Sequence, residues 1–522
     1  MTETAPATSD AAAAAVRRWT LVSAVLGSSM AFMDGTVVNV ALPAIQRSLG
    51  ASGADAQWII EAYALFLAAL LLVGGALGDR FGRKRVFLVG VVVFTLTSAA
   101  CAAAQGTGQL IAARALQGIG AALLVPGSLA LLGANFPEAE RGRAIGTWSA
   151  FSGVTAAIGP VVGGFLVDHF SWRWAFLLNV PIGVLLVLAC VAKVPESRGE
   201  SNDGPVDIAG AVTATLGLAG IVFALIEAPT RHWDSVPVLV AAVLGVAGLA
   251  AFLACEARAR EPMLPLHLFR NRDFAGANLL TLLLYAALGG GLYFVPLNLI
   301  QVQGYGATAA GAALLPFVAI MFALSRWAGS LVDAVGAKIP LIVGPATAAV
   351  GFALFARPGV GGSYWTTFFP AVCVLGLGMT VTISPLTTTV MNALGESLAG
   401  TASGVNNAVS RAAGLLAIAA LGAVLANVFE ARLHDALSHA ALPAGVGDAV
   451  FAQRHQLAAI AAPASAASAV QAQVHAIVGV AFVAGFRAVM LAGAGLALAS
   501  ALSAWWLISA HKSDPDSKGR AT

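Results

Sequence analysis

From residue 19 onward, long apolar runs alternate with short polar breaks. A membrane-spanning helix takes about 20 mostly apolar residues. By that measure the pattern predicts fourteen spans, at 19–41, 57–78, 86–105, 108–132, 144–168, 174–193, 207–228, 236–256, 274–299, 307–327, 339–356, 365–390, 401–427 and 484–508. The breaks are short except at 429–475, an Ala-rich stretch holding His434, His439, His455 and His475. The spacing of those histidines fits no metal motif, so a solvated, partly helical loop is expected. The apolar run near 474–484 outlasts one bilayer, which leaves the start of the last span open. The first run is too long for a signal-peptide core and has no clear cleavage site, so it is expected to stay as a span.

Composition agrees with this pattern. Hydrophobic residues make up 59% of the chain and charged residues 10%, against about 25% charged in soluble domains. The expectation is an all-α integral membrane protein, with the lipid bilayer as its surroundings. A net charge of +3 gives no reason to expect nucleic acid. Cys101, Cys190, Cys255 and Cys373 lie far apart in apolar surroundings and read as packing residues. No metal site is expected.

The basic residues set the orientation. One side of the fourteen-span topology carries nineteen: Arg17, Arg18, Arg80, Arg83, Lys84, Arg85, Arg141, Arg143, Lys193, Arg198, Arg258, Arg260, Arg270, Arg272, Arg326, Lys338, Lys512, Lys518 and Arg520. The other side carries six: Arg47, Arg173, Arg231, Arg357, Arg432 and Arg454. Both termini are therefore expected in the cytoplasm, with the chain in the cell (inner) membrane.

An internal repeat organises the spans. The break after span 2 reads "GGALGDRFGRKR" and the break after span 10 reads "AGSLVDAVGAKI", aligning Gly75 with Gly329, Asp79 with Asp333, Gly82 with Gly336 and Lys84 with Lys338. This predicts a six-helix bundle at 1–193, two inserted linker helices within 194–260, and a second six-helix bundle at 261–522. Two like halves with a site between them is a common plan of secondary transporters.

Within this apolar frame a few ionisable groups stand out. Asp34 lies in "MAFMDGTVVNVALP", about 10 Å inside the predicted end of span 1 at 1.5 Å per residue. A charge at mid-bilayer costs at least about 2.5–3.5 kcal/mol, so such groups commonly face a cavity and have a task. Arg114 in span 4 lies at a similar depth and Glu61 in span 2 nearer the surface. Arg114 can hold one acid ionised, while an acid removed from water without a partner favours its neutral form. That division suits proton coupling by Asp34, Glu61 and Arg114, though a buried ion pair that only locks helices would use the same residues.

The "GDRFGRKR" break suggests a gate built from Gly75, Asp79, Arg80, Gly82, Arg83 and Lys84. Its glycines permit a tight reversal, and Asp79 can pair with Arg83 or cap a helix N-terminus. Span 5 carries Gly146, Gly153, Gly159, Pro160, Gly163 and Gly164, a packing and hinge element at which a neighbouring helix can come close. In the second half, Tyr293, Asn298, Gln301, Met379, Thr382 and Arg411 are candidate lining residues for a substrate cavity.

These segments together resemble the major facilitator superfamily, and within it the fourteen-span drug:proton antiporters. The resemblance rests on "MDGTVVNVALP" at 33–43, "GGALGDRFGRKR" at 74–85, "LIAARALQGIGAA" at 110–122, "GPVVGG" at 159–164, "WRWAFLLNVPIG" at 172–183, "PMLPLHLF" at 262–269 and "YFVPLNLIQVQGYGATAAGAALLP" at 293–316. It covers essentially the whole chain. It implies the major facilitator fold, a link between Arg114 and proton transfer, antiport for the 159–164 motif, gating for the 75–85 loop, and coupling or cation recognition for Asp34. Thr155 departs from the longer antiporter motif, where Gly is usual. Ala334 and Ala337 replace Arg80 and Arg83 in the repeat copy, which weakens a second latch.

No G-x-x-x-x-G-K-[ST] loop, H-E-x-x-H or G-x-S-x-G motif occurs. The expectation is therefore no enzyme and no cofactor, the proton gradient supplying the energy. A small-molecule substrate is moved, by multidrug export or by dedicated export of one antibiotic, siderophore, lipid or other metabolite. A membrane sensor that transports nothing is the alternative from another class. Whether a periplasmic adaptor protein takes part is left open.

Overall fold

The computed structural model describes residues 7–198, 207–259, 262–395, 398–463 and 465–509. Arg260, Lys512, Lys518 and Arg520 of the basic set lie outside them, as does the side chain of Asp333. Every regular element among the described residues is helical. Fourteen helical stretches are long and apolar enough to span a membrane, matching the predicted number.

The chain forms two compact units, Met1–Met263 with Tyr305–Ala312, and Leu264–Gly304 with Ala313–Thr522. The first unit contains α1 (Ala7–Leu49), α2 (Gly53–Phe81), α3 (Arg83–Ala103), α4 (Thr107–Asn135), α5 (Glu138–His169), α6 (Trp174–Leu177), α7 (Asn179–Lys193), α8 (Ile208–Arg231) and α9 (Val236–Arg258). Local chemistry sets several boundaries. Ser52 and Asp55 cap the start of α2 reciprocally, each side chain accepting from the other's backbone N–H at 2.9–3.1 Å. Gly82, at φ +111°, turns α2 into α3.

Glycines in α4 draw its neighbours to backbone distance, the usual means of close packing in lipid. A Cβ on Gly120 would meet the Phe94 nitrogen of α3 at 2.7 Å, and one on Gly118 would strike the Tyr63 carbonyl of α2. Phe87, Val91, Phe94, Leu124, Leu131, Leu186 and Cys190 fill the space between these helices. The inserted pair α8–α9 meets glycine to glycine, Gly217 on Gly248 and Gly220 on Gly245. Trp58 of α2 donates from Nε1 to Glu227 Oε1 of α8 at 3.1 Å.

The second unit contains α10 (Arg272–Leu297) with a π turn at Asn298–Val302, α12 (Leu315–Val335), α13 (Lys338–Phe355), α14 (Tyr364–Asn392), α15 (Ala399–His439), α16 (Val446–Ala452) and α17 (Ser468–Leu507). Asn406 of α15 donates from Nδ2 to Thr281 Oγ1 at 2.7 Å and to Asn278 Oδ1 at 3.2 Å, both on α10. α11 (Ala307–Ala312) is the first piece of the tenth span and groups with the first unit. Pro316 in the first turn of α12 lacks the N–H that would continue the helix, and the chain turns at 313–314.

The 429–475 segment is more ordered than expected. α15 continues twelve residues beyond 427, α17 begins at Ser468 rather than 484, and α16 and a 3-10 turn lie between them. Hydropathy finds the part of a helix that lies in lipid, and these helices carry on past it. The four cysteines are free, as packing residues would be.

Candidate functional site

The α4 stripe that seats α2 and α3 also holds Arg114 and Gln117 on one helical face, three residues apart. Asp34 of α1 meets them there. Arg114 Nη1 donates to Asp34 Oδ2 and, at 2.7 Å, to Gln117 Oε1. Asp34 Oδ1 accepts from Gln117 Nε2 at 3.0 Å and from Asn179 Nδ2 of α7 at 3.1 Å. Asn179 also donates to Ser98 Oγ at 3.1 Å, and Ser98 donates to the Phe176 carbonyl at 2.9 Å. Arg114 Nε donates to the Ile59 carbonyl of α2, and its guanidinium lies 4.2 Å from the Tyr63 ring centroid. The Asp34 and Arg114 side chains are 0% exposed. Residues of six helices, α1, α2, α3, α4, α6 and α7, thus form the network around one buried ion pair, where charge-assisted hydrogen bonds are at their strongest.

Glu61 differs. It lies on α2 in the same unit and is fully buried, yet neither carboxylate oxygen has a hydrogen-bond partner among the described residues. The sequence groups it with Asp34 and Arg114 as one cluster, whereas the structure joins only the latter two. Helix phase accounts for the separation: Tyr63 of α2 presents its ring to Arg114, and residues two apart on a helix, such as Glu61 and Tyr63, lie on different faces. Gln117, Asn179, Ser98 and Tyr63 were not singled out in the sequence. The i, i+3 spacing of Gln117 from Arg114 was the available signal. Asp34 stands fifteen residues from the end of α1, because that helix continues to Leu49.

At the α2–α3 turn, Arg83 Nε pairs with Asp79 Oδ1 at 2.7 Å, one of the two expected alternatives. The cap on α3 comes from an unforeseen residue. Glu196, just beyond α7, accepts from the backbone of Lys84 at 2.9 Å and of Arg85 at 3.2 Å, placing its charge at the positive helix end. Lys84 Nζ donates in return to the Val191 and Val194 carbonyls at the end of α7. A Cβ on Gly82 would lie 2.9 Å from the Glu196 carboxylate. Arg80 is exposed, its guanidinium 5.5 Å from the Phe81 ring. Gly75 is uncrowded, with Pro126 3.7 Å from where its Cβ would stand; the close approach falls to Gly74 on the Ala122 backbone.

On α5, Gly159 and Gly163 seat α1 at Met33, Thr36 and Val37, while Gly164 and Pro160 lie against the backbone of α11. Gly146 and Gly153 meet nothing within 4 Å, so the expected close approach does not occur there. Thr155 brings its hydroxyl 3.1 Å from Ser29 Oγ of α1, a polar contact where glycine would give none. Asp168, at the end of α5, accepts from the backbone of Ala307 and Thr308 and from the Thr308 hydroxyl at 2.6–3.0 Å, capping α11.

The candidate cavity residues of the second unit have these surroundings. Thr382 is buried, bonds to the Gly378 carbonyl of its own helix at 2.8 Å and abuts Gly344 of α13. Met379 is fully buried, and Tyr293 is buried edge-on against Phe294. Asn298 accepts from Gln303, which also donates to the Gly359 carbonyl and accepts from Gly361 N–H. Gln301 and Arg411 are half-buried. Two cavities of about 460 and 450 Å³ within this unit are lined by other residues. A lone polar residue in an apolar run looks the same in sequence whether it lines a cavity or packs between helices.

The model of the Major Facilitator Superfamily matches residues 24–418. The chain is 36% identical over 442 residues to the multidrug resistance protein Stp of Mycobacterium tuberculosis, covering 84% of this chain and 80% of that protein. It is 34% identical over 433 residues to the tetracenomycin C resistance and export protein of Streptomyces glaucescens, covering 82% and 79%. Among solved structures, a bacterial homolog to the human lysosomal transporter Spinster, in an inward-facing and unoccupied conformation, is similar in fold. The TM-score is 0.66 at 16% identity, over 96% of this chain and 99% of that one.

Proposed function

The chain belongs to the Major Facilitator Superfamily, and we propose that it exports drugs or other small hydrophobic or amphipathic compounds in exchange for protons, by alternating access. The resistance and export roles in its relatives' names support the cargo class. The observation that carries proton coupling is the contrast between two buried acids of the first unit. Asp34 accepts from Arg114, Gln117 and Asn179, while Glu61 accepts from no described residue.

A buried anion is tolerated only when paired and hydrogen-bonded. Asp34 meets that condition and serves as the fixed counter-charge of Arg114. Glu61 does not, and it is the group that takes up and gives back the proton. Arg114 Nη2 has no acceptor among the described residues. It is the donor left free for a water on the proton's path. Asp79, Arg83, Lys84 and Gly82 form the clasp of the gate, with Gly75 and Arg80 on its flanks. Gly159, Pro160, Gly163 and Gly164 form the antiporter seam, and Gly153 leaves it open at one end. The termini lie on the cytoplasmic side of the cell membrane, where the basic residues gather. The 1–193 and 261–522 segments act as the transporting halves, joined through the 194–260 helices.

Proton flux in liposomes with an imposed pH gradient and a panel of lipophilic cations tests this reading. Glu61→Gln is expected to abolish substrate-driven proton movement while substrate still binds. Full coupling in that variant would overturn the assignment. The tetracenomycin C relative is named for a single antibiotic, which favours a dedicated exporter as second reading. Protection against one compound rather than many in a resistance profile would decide for it.

A further inference from the structure

The second unit contains a pocket that the transport reading leaves unused. It has a volume of about 450 Å³ and lies between α15, α17 and the 356–363 loop. Arg432 and Arg487 line it, with Asp435, and its walls include Val360, Val480 and Val483. Arg487 Nε donates to the Ala356 carbonyl at 2.8 Å, which leaves both terminal amino groups of its guanidinium uncommitted among the described residues. Arg432 makes no hydrogen bond or ion pair among them. The Asp435 carboxylate faces His439, 3.6 Å away. The loop is held from beneath: Gln303 Nε2 donates to the Gly359 carbonyl at 2.9 Å, and Gln303 Oε1 accepts from Gly361 N–H at 2.8 Å.

The helices give the depth of the pocket. Trp505 and Trp506 are exposed at one end of α17, and Trp365 is exposed at the start of α14. Exposed tryptophans gather at the two membrane–water interfaces. From Trp506 to Arg487 is nineteen residues of continuous helix, about 28 Å at 1.5 Å per residue and so close to one hydrocarbon thickness. Arg487 thus sits at the far hydrocarbon boundary, and Val480, Val483 and Arg432 rise from it into the headgroup layer.

We infer that this pocket holds the phosphate headgroup of an anionic membrane lipid, with Arg432 and Arg487 on the phosphate oxygens and the valines against the carbons of the headgroup beyond the phosphate. Guanidinium groups match phosphate in both geometry and charge. Basic pockets between membrane helices are a recognised way to hold lipid headgroups. The inference is independent of proton coupling, and its failure would leave that reading untouched.

The test uses the full chain in nanodiscs of phosphatidylcholine with added phosphatidylglycerol, reading retained lipid by native mass spectrometry. The wild type is expected to retain phosphatidylglycerol in preference to phosphatidylcholine. Arg432→Gln should weaken that retention about fivefold, from the usual worth of one basic residue at an anionic membrane surface. Arg432→Gln loses no intramolecular bond, so it remains informative if Arg487→Gln, which also loses the tie to Ala356, folds poorly. Equal retention in wild type and Arg432→Gln would overturn the inference. Binding of millimolar inorganic phosphate that Arg432→Gln weakens, with no preference for phosphatidylglycerol over phosphatidylcholine, would overturn the lipid as occupant and identify a site for free anions.

Discussion

The two units bind their helices with buried polar groups of different kinds. In the first, α1, α4 and α7 meet through an ion pair with neutral amides around it, Asp34, Arg114, Gln117 and Asn179. In the second, α10 and α15 meet through Asn278, Thr281 and Asn406, with no charge in the cluster. The repeated turns differ in the same way. Gly82 at φ +111° and Gly336 at φ +77° each end a helix in a conformation suited to glycine. The first turn carries the Asp79–Arg83 pair and a carboxylate from Glu196, just beyond α7, while α13 starts at Ala337 with no cap from that residue's side chain. Both turns use a glycine at positive φ, and the charged contacts described lie at the first.

That contrast can be broken most severely at Arg114. Arg114→Gln leaves Asp34 buried without its counter-charge. It should cost about 3–5 kcal/mol, the usual penalty for removing one partner of a buried pair, and should also abolish coupling. Thermal unfolding of purified protein, read beside proton flux, checks both. A stable variant with intact flux would mean that the pair is dispensable. Next in size, Gly82→Ala places a side chain at φ +111° and against Glu196. A loss of about 2–3 kcal/mol is expected from backbone strain and the displaced cap. Gly336→Ala, at φ +77°, should also lose stability from backbone strain in the same unfolding assay. The smallest effect is expected from Asn406→Ala, about 1 kcal/mol for neutral hydrogen bonds between membrane helices, with proton coupling retained. Loss of coupling in Asn406→Ala would erase the distinction between a charged working unit and a neutral one.

Much of the fold was legible in the sequence. Span number follows from apolar run length, and the "GDRFGRKR" and "AGSLVDAVGAKI" breaks announced two turns that both proved to use a glycine at positive φ. Arg114 and Asp34 stood out because charge is costly in lipid. Legibility was poorer for neutral residues. Asn179 and Gln117 complete the Asp34 shell but are ordinary polar residues in sequence, and the contact of Thr382 with Gly344 had no signal along the chain. The glycines of span 5 looked alike, yet Gly159, Gly163 and Gly164 carry close contacts while Gly146 and Gly153 carry none.

The sequence by itself determined what depends on neighbours along the chain: fourteen apolar stretches, the breaks between them, the repeat, and the few ionisable groups placed within hydrocarbon. Tertiary structure decided what depends on partners far away in the chain. Asp34 meets Arg114 across 80 residues and Asn179 across 145, and Lys84 meets Glu196 across 112. Local hydropathy has no access to such separations, because they are set by which helix faces pack. The same packing leaves Glu61, two residues along α2 from the face that meets Arg114, as a buried acid with no described partner.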